Sequence, residues 1–225
     1  MWQILTIPPK RYERPLIGYL SRQQVKAILV APDESTWSDK RDRVLLSTLY
    51  NTGARVSELI RIRVSDLTIG DTSTQRIHGK GRKLRTVPIW KNTEKQLRQW
   101  MEVNTLTENM ILFPNRKSQQ LTRTGITDRL MLATQRAAIH CTSLKDRRVT
   151  PHIIRHSTAM HLLQSGVDIT IIALWLGHES TATTHGYIEA DLAMKEKALN
   201  TLAPEVQSHQ RFQASDKLIA FLDKR

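Results

Sequence analysis

Apolar residues recur at helical spacing along most of the chain and switch to strand spacing in one stretch. Ser21 and Gln24 have capping-box spacing and precede Ala27, Ile28 and Leu29, so a helix opens there. Asp33 and the polar residues up to Ser38 read as a turn. Val44, Leu45, Leu46, Leu49 and Tyr50 mark a second helix that Gly53 ends, and a short helix begins near Arg55. Helical patterning returns over residues 94–103 and 125–139. It returns again over 152–164, with Ile153, Met160, Leu162 and Leu163 as anchors and Gly166 suited to the C-terminal cap. Asp168 caps a further helix through Ile171, Ile172, Leu174, Trp175 and Leu176, which Gly177 closes, and residues 191–202 form one more.

Residues 64–88 differ. Ile69, Ile77, Thr86 and Val87 are β-formers set among Gly70, Gly79 and Gly81, which predicts a small antiparallel sheet with a tight hairpin at Gly79-Lys80-Gly81. The fold class is therefore α+β, mostly α. Pro8, Pro9 and Pro15 make residues 1–20 an arm. Residues 21–203 form one domain. Residues 204–225 form a linker and an amphipathic C-terminal helix carrying Leu218, Ile219, Phe221 and Leu222. Residues 141–148 read as a polar, basic loop. No internal repeat is present.

Charge narrows the function. Lys and Arg number 34 against 21 Asp and Glu, a formal charge of +13, which favours a polyanionic partner. Cys141 is the sole cysteine, so no intrachain disulfide forms and a reducing compartment is expected. The first residues lack the cationic start and apolar run of a signal peptide, and no stretch reaches membrane-span length. The expectation is a cytoplasmic, nucleoid-associated protein whose polyanion is nucleic acid and not a membrane.

Three groups of phrases carry candidate chemistry. They are TGARVSEL at residues 52–59, HGKGRKLRTVPI at 78–89, and the pair PHIIRH (151–156) and LGHESTATTHGY (176–187). Together, in this order, they resemble the catalytic domain of the tyrosine recombinases, the phage integrase family, over about residues 19–202. The resemblance implies catalytic roles for Arg55, Lys80, His152, Arg155, His178 and Tyr187, with Tyr187 the nucleophile and Lys80 the acid that protonates the departing 5′ oxygen. It implies a supporting role for Glu58. It also implies double-stranded DNA as partner, a homotetramer on two DNA sites, and exchange of the C-terminal helix between protomers. The helical core-binding domain that usually precedes such a domain is expected to be absent. Gly186, where the family usually has a bulkier residue, is expected to loosen the nucleophile.

The residue types make independent chemical sense. Guanidiniums offer planar forks of donors to phosphate oxygens, where charge concentrates in the transition state. His152 and Arg155, three apart on a helix, share a face near an anion-favouring helix start. A tyrosine needs help losing its proton at an ordinary pKa near 10, and His152 is the candidate. The phosphotyrosine ester conserves the energy of the broken bond, so neither nucleotide nor metal is required, and GKGR lacks the pattern of a P-loop.

Plainer readings stand beside these. Arg55 and Glu58 alone could be a surface ion pair. Arg82, Lys83 and Arg85 contact the DNA backbone or are merely solvated. His152 and His156 could share a metal, but the glutamate of H-E-x-x-H is missing and Arg155 would repel the ion. His156, His161 and His185 make structural hydrogen bonds, Tyr12 and Tyr19 have no comparable setting, Tyr50 is core, and Trp175 packs. The C-terminal segment covers its own domain or docks on a neighbour. A topoisomerase acting on one duplex, and a non-catalytic DNA-binding remnant, remain alternatives.

Overall fold

The fold is described from a computed structural model over residues 18–178, apart from Lys80 and Arg82. All of these lie in the first of two units into which the chain divides, Met1–Ile188. The expectations for residues 1–17, Lys80, Arg82, His185, Gly186 and Tyr187, and for the helix, linker and amphipathic segment over 191–225, lie outside the described residues.

Helix α1 (Arg22–Val30) starts where the capping box places it: Gln24 N–H donates to the Ser21 hydroxyl and Ser21 N–H to the Gln24 side chain. Helix α2 (Trp37–Thr52) begins earlier than the apolar pattern suggests. Thr36 accepts from Asp39 N–H as N-cap, which draws Trp37 and Ser38 out of the expected turn and into the helix. Its end falls at Gly53, whose φ of 57° lies in the left-handed region. The four-residue helix α3 (Val56–Leu59) follows with Arg55 as N-cap.

Strands β1 (Leu67–Thr68), β2 (Thr74–His78) and β3 (Leu84–Pro88) form one antiparallel sheet in that order. Ile77 pairs with Arg85 and Gln75 with Val87. Gly79 N–H donates to the Lys83 carbonyl at 2.7 Å beyond the last strand pair, His78 with Leu84, and Gly81 has φ 71°. Helices α4 (Lys91–Val103), α5 (Arg123–Ala138), α6 (Pro151–Gln164) and α7 (Ile169–Leu176) complete the described order. Thr150 caps α6 with Pro151 at its first position, and Asp168 caps α7.

Helix α2 is the spine. Leu45, Leu46 and Leu49 are fully buried, and the helix packs against α6 on one side and α4 on another. Helix α1 packs on α5, and α7 on α6 and β3. Three parts of the core escape local patterning. Leu20 was expected in the arm, yet it is fully buried and its N–H donates to the Ser157 hydroxyl across 137 residues. Leu112 and Phe113, in the connection after α4, are buried because Leu112 N–H reaches the Ile62 carbonyl and the Trp100 indole N–H reaches the Leu112 carbonyl. Leu144 is buried by a 3₁₀ turn (Thr142–Leu144) inside the expected basic loop. No helix among the described residues is long and apolar enough to cross a membrane.

A candidate active site at the junction of four helices and a hairpin

The phrase TGARVSEL folds as a tight corner. The buried Thr52 hydroxyl donates to Thr48 O and accepts from Ala54 N–H. Gly53 turns the chain through the left-handed region, and a Cβ there would collide with the Leu176 side chain, so α7 presses directly on this glycine. Arg55 comes next. Its N–H donates to Glu58 Oε2 at 2.8 Å and its Nη1 to Glu58 Oε1 at 3.1 Å. Glu58 is buried, whereas the Arg55 side chain is 43% exposed, so the guanidinium is anchored from behind and open in front.

The phrase PHIIRH opens α6. Arg155 is buried; its Nη2 donates to Leu176 O at 2.7 Å and its Nη1 to Gly53 O. This guanidinium therefore ties the end of α2 to the end of α7, in addition to any role toward an anion. His152, one turn earlier, is exposed. His156 is buried, and His161 hydrogen-bonds the Tyr50 hydroxyl through Nδ1 at 2.7 Å. Tyr50 is half-buried and edge-on to Trp90. Trp175 packs against the core with its indole N–H on Asn51 O. Among the described residues no group of three or more His, Cys, Asp or Glu could hold a metal.

Gly177, at φ 65°, ends α7 in a Schellman turn: His178 N–H bonds Ala173 O at 3.0 Å and Gly177 N–H bonds Leu174 O at 3.2 Å. His178 is thus held on a rigid corner. Burial first, then the positive charges of Arg155, Arg55 and Arg85, depress its pKa to about 4. It is a neutral hydrogen-bonding imidazole at pH 7 and not one of the cations.

Arg85 departs most from expectation. It is not a solvated side chain but a largely buried, paired one. Its side chain is 11% exposed, and Nη1 and Nη2 grip Glu58 Oε1 and Oε2 at 3.1 and 2.7 Å. Burial raises the Glu58 pKa, but the Arg85 and Arg55 hydrogen bonds and the Arg85 charge outweigh it, so the net shift is downward and the carboxylate stays ionised. A sequence signal for this existed. Arg85 and Val87 are two apart on β3 and share a face, and Val87 is fully buried. Lys83 is exposed.

Arg55, Gly79, Lys83, Leu84, Arg85, Gly177 and His178 line an open cleft of about 330 Å³. Gly79 and Lys83 bracket the hairpin loop, so this cleft has guanidinium and imidazole on one wall and the root of the hairpin on another. Arg155 reaches the carbonyl of Leu176, next to the cleft-lining Gly177. A mainly helical domain with a three-stranded sheet thus gathers these groups where helix ends meet a hairpin.

The chain belongs to the phage integrase family, whose pattern it matches over residues 18–194. It is 44% identical over 221 residues to y4rC of Sinorhizobium fredii, whose given name places it among integrases and recombinases; the match covers 98% of this chain and 67% of that one. It is 35% identical to the tyrosine recombinase XerD of Yersinia pestis over 174 residues, covering 75% of this chain and 56% of that one. Among solved structures it is similar to XerH site-specific recombinase bound to a palindromic difH substrate in a post-cleavage complex. That match has TM-score 0.69 and 26% identity and covers 82% of this chain and 53% of that one. XerA recombinase gives TM-score 0.68 and 28% identity, covering 88% and 67%. The chain thus spans between about half and two thirds of the length of these relatives.

Proposed function

We propose that this chain carries the strand-exchange chemistry of a site-specific DNA recombinase. The Tyr187 phenolic oxygen attacks a backbone phosphorus and forms a 3′-phosphotyrosine ester. The bond to the 5′ oxygen breaks, Lys80 gives that oxygen its proton, and His152 receives the proton of the phenol. A 5′ hydroxyl from another strand reverses the step. Arg55 and Arg155 stabilise the negative charge of the pentacoordinate state, and His178 adds a hydrogen bond. The partner is double-stranded DNA, bound by a homotetramer across two sites, with the C-terminal segment passing between protomers at the nucleoid. Lys83 and Arg82 contact the DNA backbone.

One observation carries this reading. Arg55 with Glu58, Arg155 and His178, from three separate segments, meet at one corner inside a family-matched domain, where burial and then the surrounding positive charge hold the histidine neutral. The test is a DNA duplex nicked next to the scissile phosphate, which traps the covalent product. The parent chain forms an adduct, in the presence of a chelator as in its absence, and Tyr187→Phe forms none while still binding DNA. An adduct with Tyr187→Phe overturns the nucleophile. Absence of any adduct at saturating DNA points to a non-catalytic remnant, and relaxation of supercoils without exchange between sites points to a topoisomerase.

A further inference from the structure

The cation that the sequence offers for DNA contact has another use in the fold. Arg85 directs its three nitrogens at two different segments. Nη1 and Nη2 meet both oxygens of Glu58, and Nε–H donates to the Trp175 carbonyl at 3.0 Å. Glu58 in turn receives the N–H and Nη1 of Arg55. One carboxylate is therefore held between a buried fork and the exposed arginine of the cleft. A carboxylate gripped by a fork cannot rotate about its own axis, so the oxygen offered to Arg55 has a set direction. A lysine ammonium, a point donor, would not impose that direction.

On its other side Arg85 lies against the turn that carries His178. A Cβ built on Gly177 would be 3.0 Å from both Cδ and Nη1 of Arg85 and 3.3 Å from Cζ. The guanidinium packs on the Schellman turn itself, while its backbone belongs to β3, one residue from Leu84 and two from Lys83 at the foot of the hairpin. A DNA phosphate could take this guanidinium only by stripping it from Glu58 and leaving a buried carboxylate without its fork.

We propose that Arg85 is a positioning residue for strand cleavage, an inference that rests on the recombinase reading: through Glu58 and the end of α7 it joins the hairpin to the segments bearing Arg55 and His178, so that the three approach a phosphate as one rigid unit. The positive charge of Arg85 also helps keep the His178 imidazole neutral.

The test compares the full 225-residue chain with Arg85→Met, Arg85→Lys, Glu58→Gln and Arg55→Ala, and with the Arg55→Ala/Arg85→Met double variant, on the nicked duplex. Thermal melting first identifies the variants that fold. Arg85→Met slows adduct formation by about 10- to 100-fold, the range for losing a charge-assisted, bidentate contact that acts on the transition state. Arg85→Lys restores little of the rate. In the Arg55→Ala background the same change slows the reaction by less than about threefold, because the two residues act through one carboxylate. Equal rates for Arg85→Met and parent, or losses that multiply in the double variant, overturn the proposal. If Arg85→Met does not fold, Glu58→Gln takes its place: a loss that disappears in the Arg55→Ala background supports the proposal, and a multiplicative one overturns it. A second readout does not need cleavage. The ring resonances of His178, followed by NMR against pH, titrate higher in Arg85→Met or Arg85→Lys than in the parent, with Arg85→Met the more displaced; an unmoved titration overturns the placement of Arg85. A parent chain that forms no adduct would refute the recombinase reading and leave this titration to decide on Arg85.

Discussion

Two clusters of arginines around buried carboxylates occupy opposite ends of α2, and they are built for different ends. At the start of α2, Asp39 and Asp42 meet Arg41, Arg129 and Arg136. Arg41 reaches Asp42 at 2.7 Å, Arg129 and Arg136 reach Asp39 at 3.1 and 3.0 Å, and Arg129 also grips Asp42. Arg41 donates in addition to Pro114 O at 3.1 Å. This set clamps α5 and the segment after α4 to the spine. At the end of α2 a single carboxylate, Glu58, is shared by Arg55 and Arg85, while Arg155 donates to main-chain carbonyls. The first cluster sets three guanidiniums against two carboxylates, the second three against one. The second leaves a positive surplus beside a cleft and an Arg55 guanidinium partly open to solvent. The residue types are the same; the number of carboxylates decides whether guanidiniums hold a fold or wait for an anion.

That difference can be broken by mutation. Removing a carboxylate from the first cluster should cost stability above all. Asp42→Ala strands Arg41 and Arg129, and chemical denaturation should show a loss of about 3–5 kcal/mol, with the rate per folded molecule on DNA unchanged. Removing a cation from the second cluster should do the reverse. Arg55→Ala should lower the single-turnover cleavage rate by about 100-fold, close to 3 kcal/mol of transition-state stabilisation, with a small change in melting temperature. A melting loss as large as that of Asp42→Ala would erase the distinction.

Gly177→Ala sharpens the comparison at lower cost. The left-handed φ of 65° penalises any Cβ by about 1–2 kcal/mol, and here the Cβ also pushes on Arg85. The expected result is a modest fall in melting temperature with a larger fall in cleavage. The remaining prediction concerns pH. The His178 folded-state pKa of about 4 lies below the ordinary 6.5. As pH falls from 6.5 the unfolded chain takes up this proton first, so the part of the stability linked to His178 is lost between pH 6.5 and 4 and declines no further below that. His178→Asn should flatten that part of the stability profile, as followed by denaturant melts at successive pH values. A bound phosphate favours the imidazolium, so DNA binding should take up protons in this range; calorimetry in buffers of different ionisation enthalpy checks the sign.

Much of the fold was legible because its signals are local. Ser21 with Gln24, Gly53, Asp168 and Gly177 each act within a turn of helix, and each element edge they predict is present. Two boundaries moved because a cap further out had taken over, Thr36 for α2 and Thr122 for α5, while α4 starts earlier than expected without a side-chain cap. The motif phrases picked out Arg55, Glu58, Arg155 and His178, and these do meet. Lys80 and Tyr187 rest on the motif alone.

What local pattern could not carry was the partner of each charge. Whether Arg85 faces DNA or Glu58, whether Arg155 offers its donors outward or to Gly53 and Leu176, and whether His178 is a cation or a neutral donor all depend on segments 20 to 100 residues apart. The order of residues determined the helices, the hairpin, the basic surface and the chemical types available. The tertiary structure decided which guanidiniums are neutralised and which field remains, because Coulomb interactions and desolvation depend on distance and burial in space and not on position along the chain.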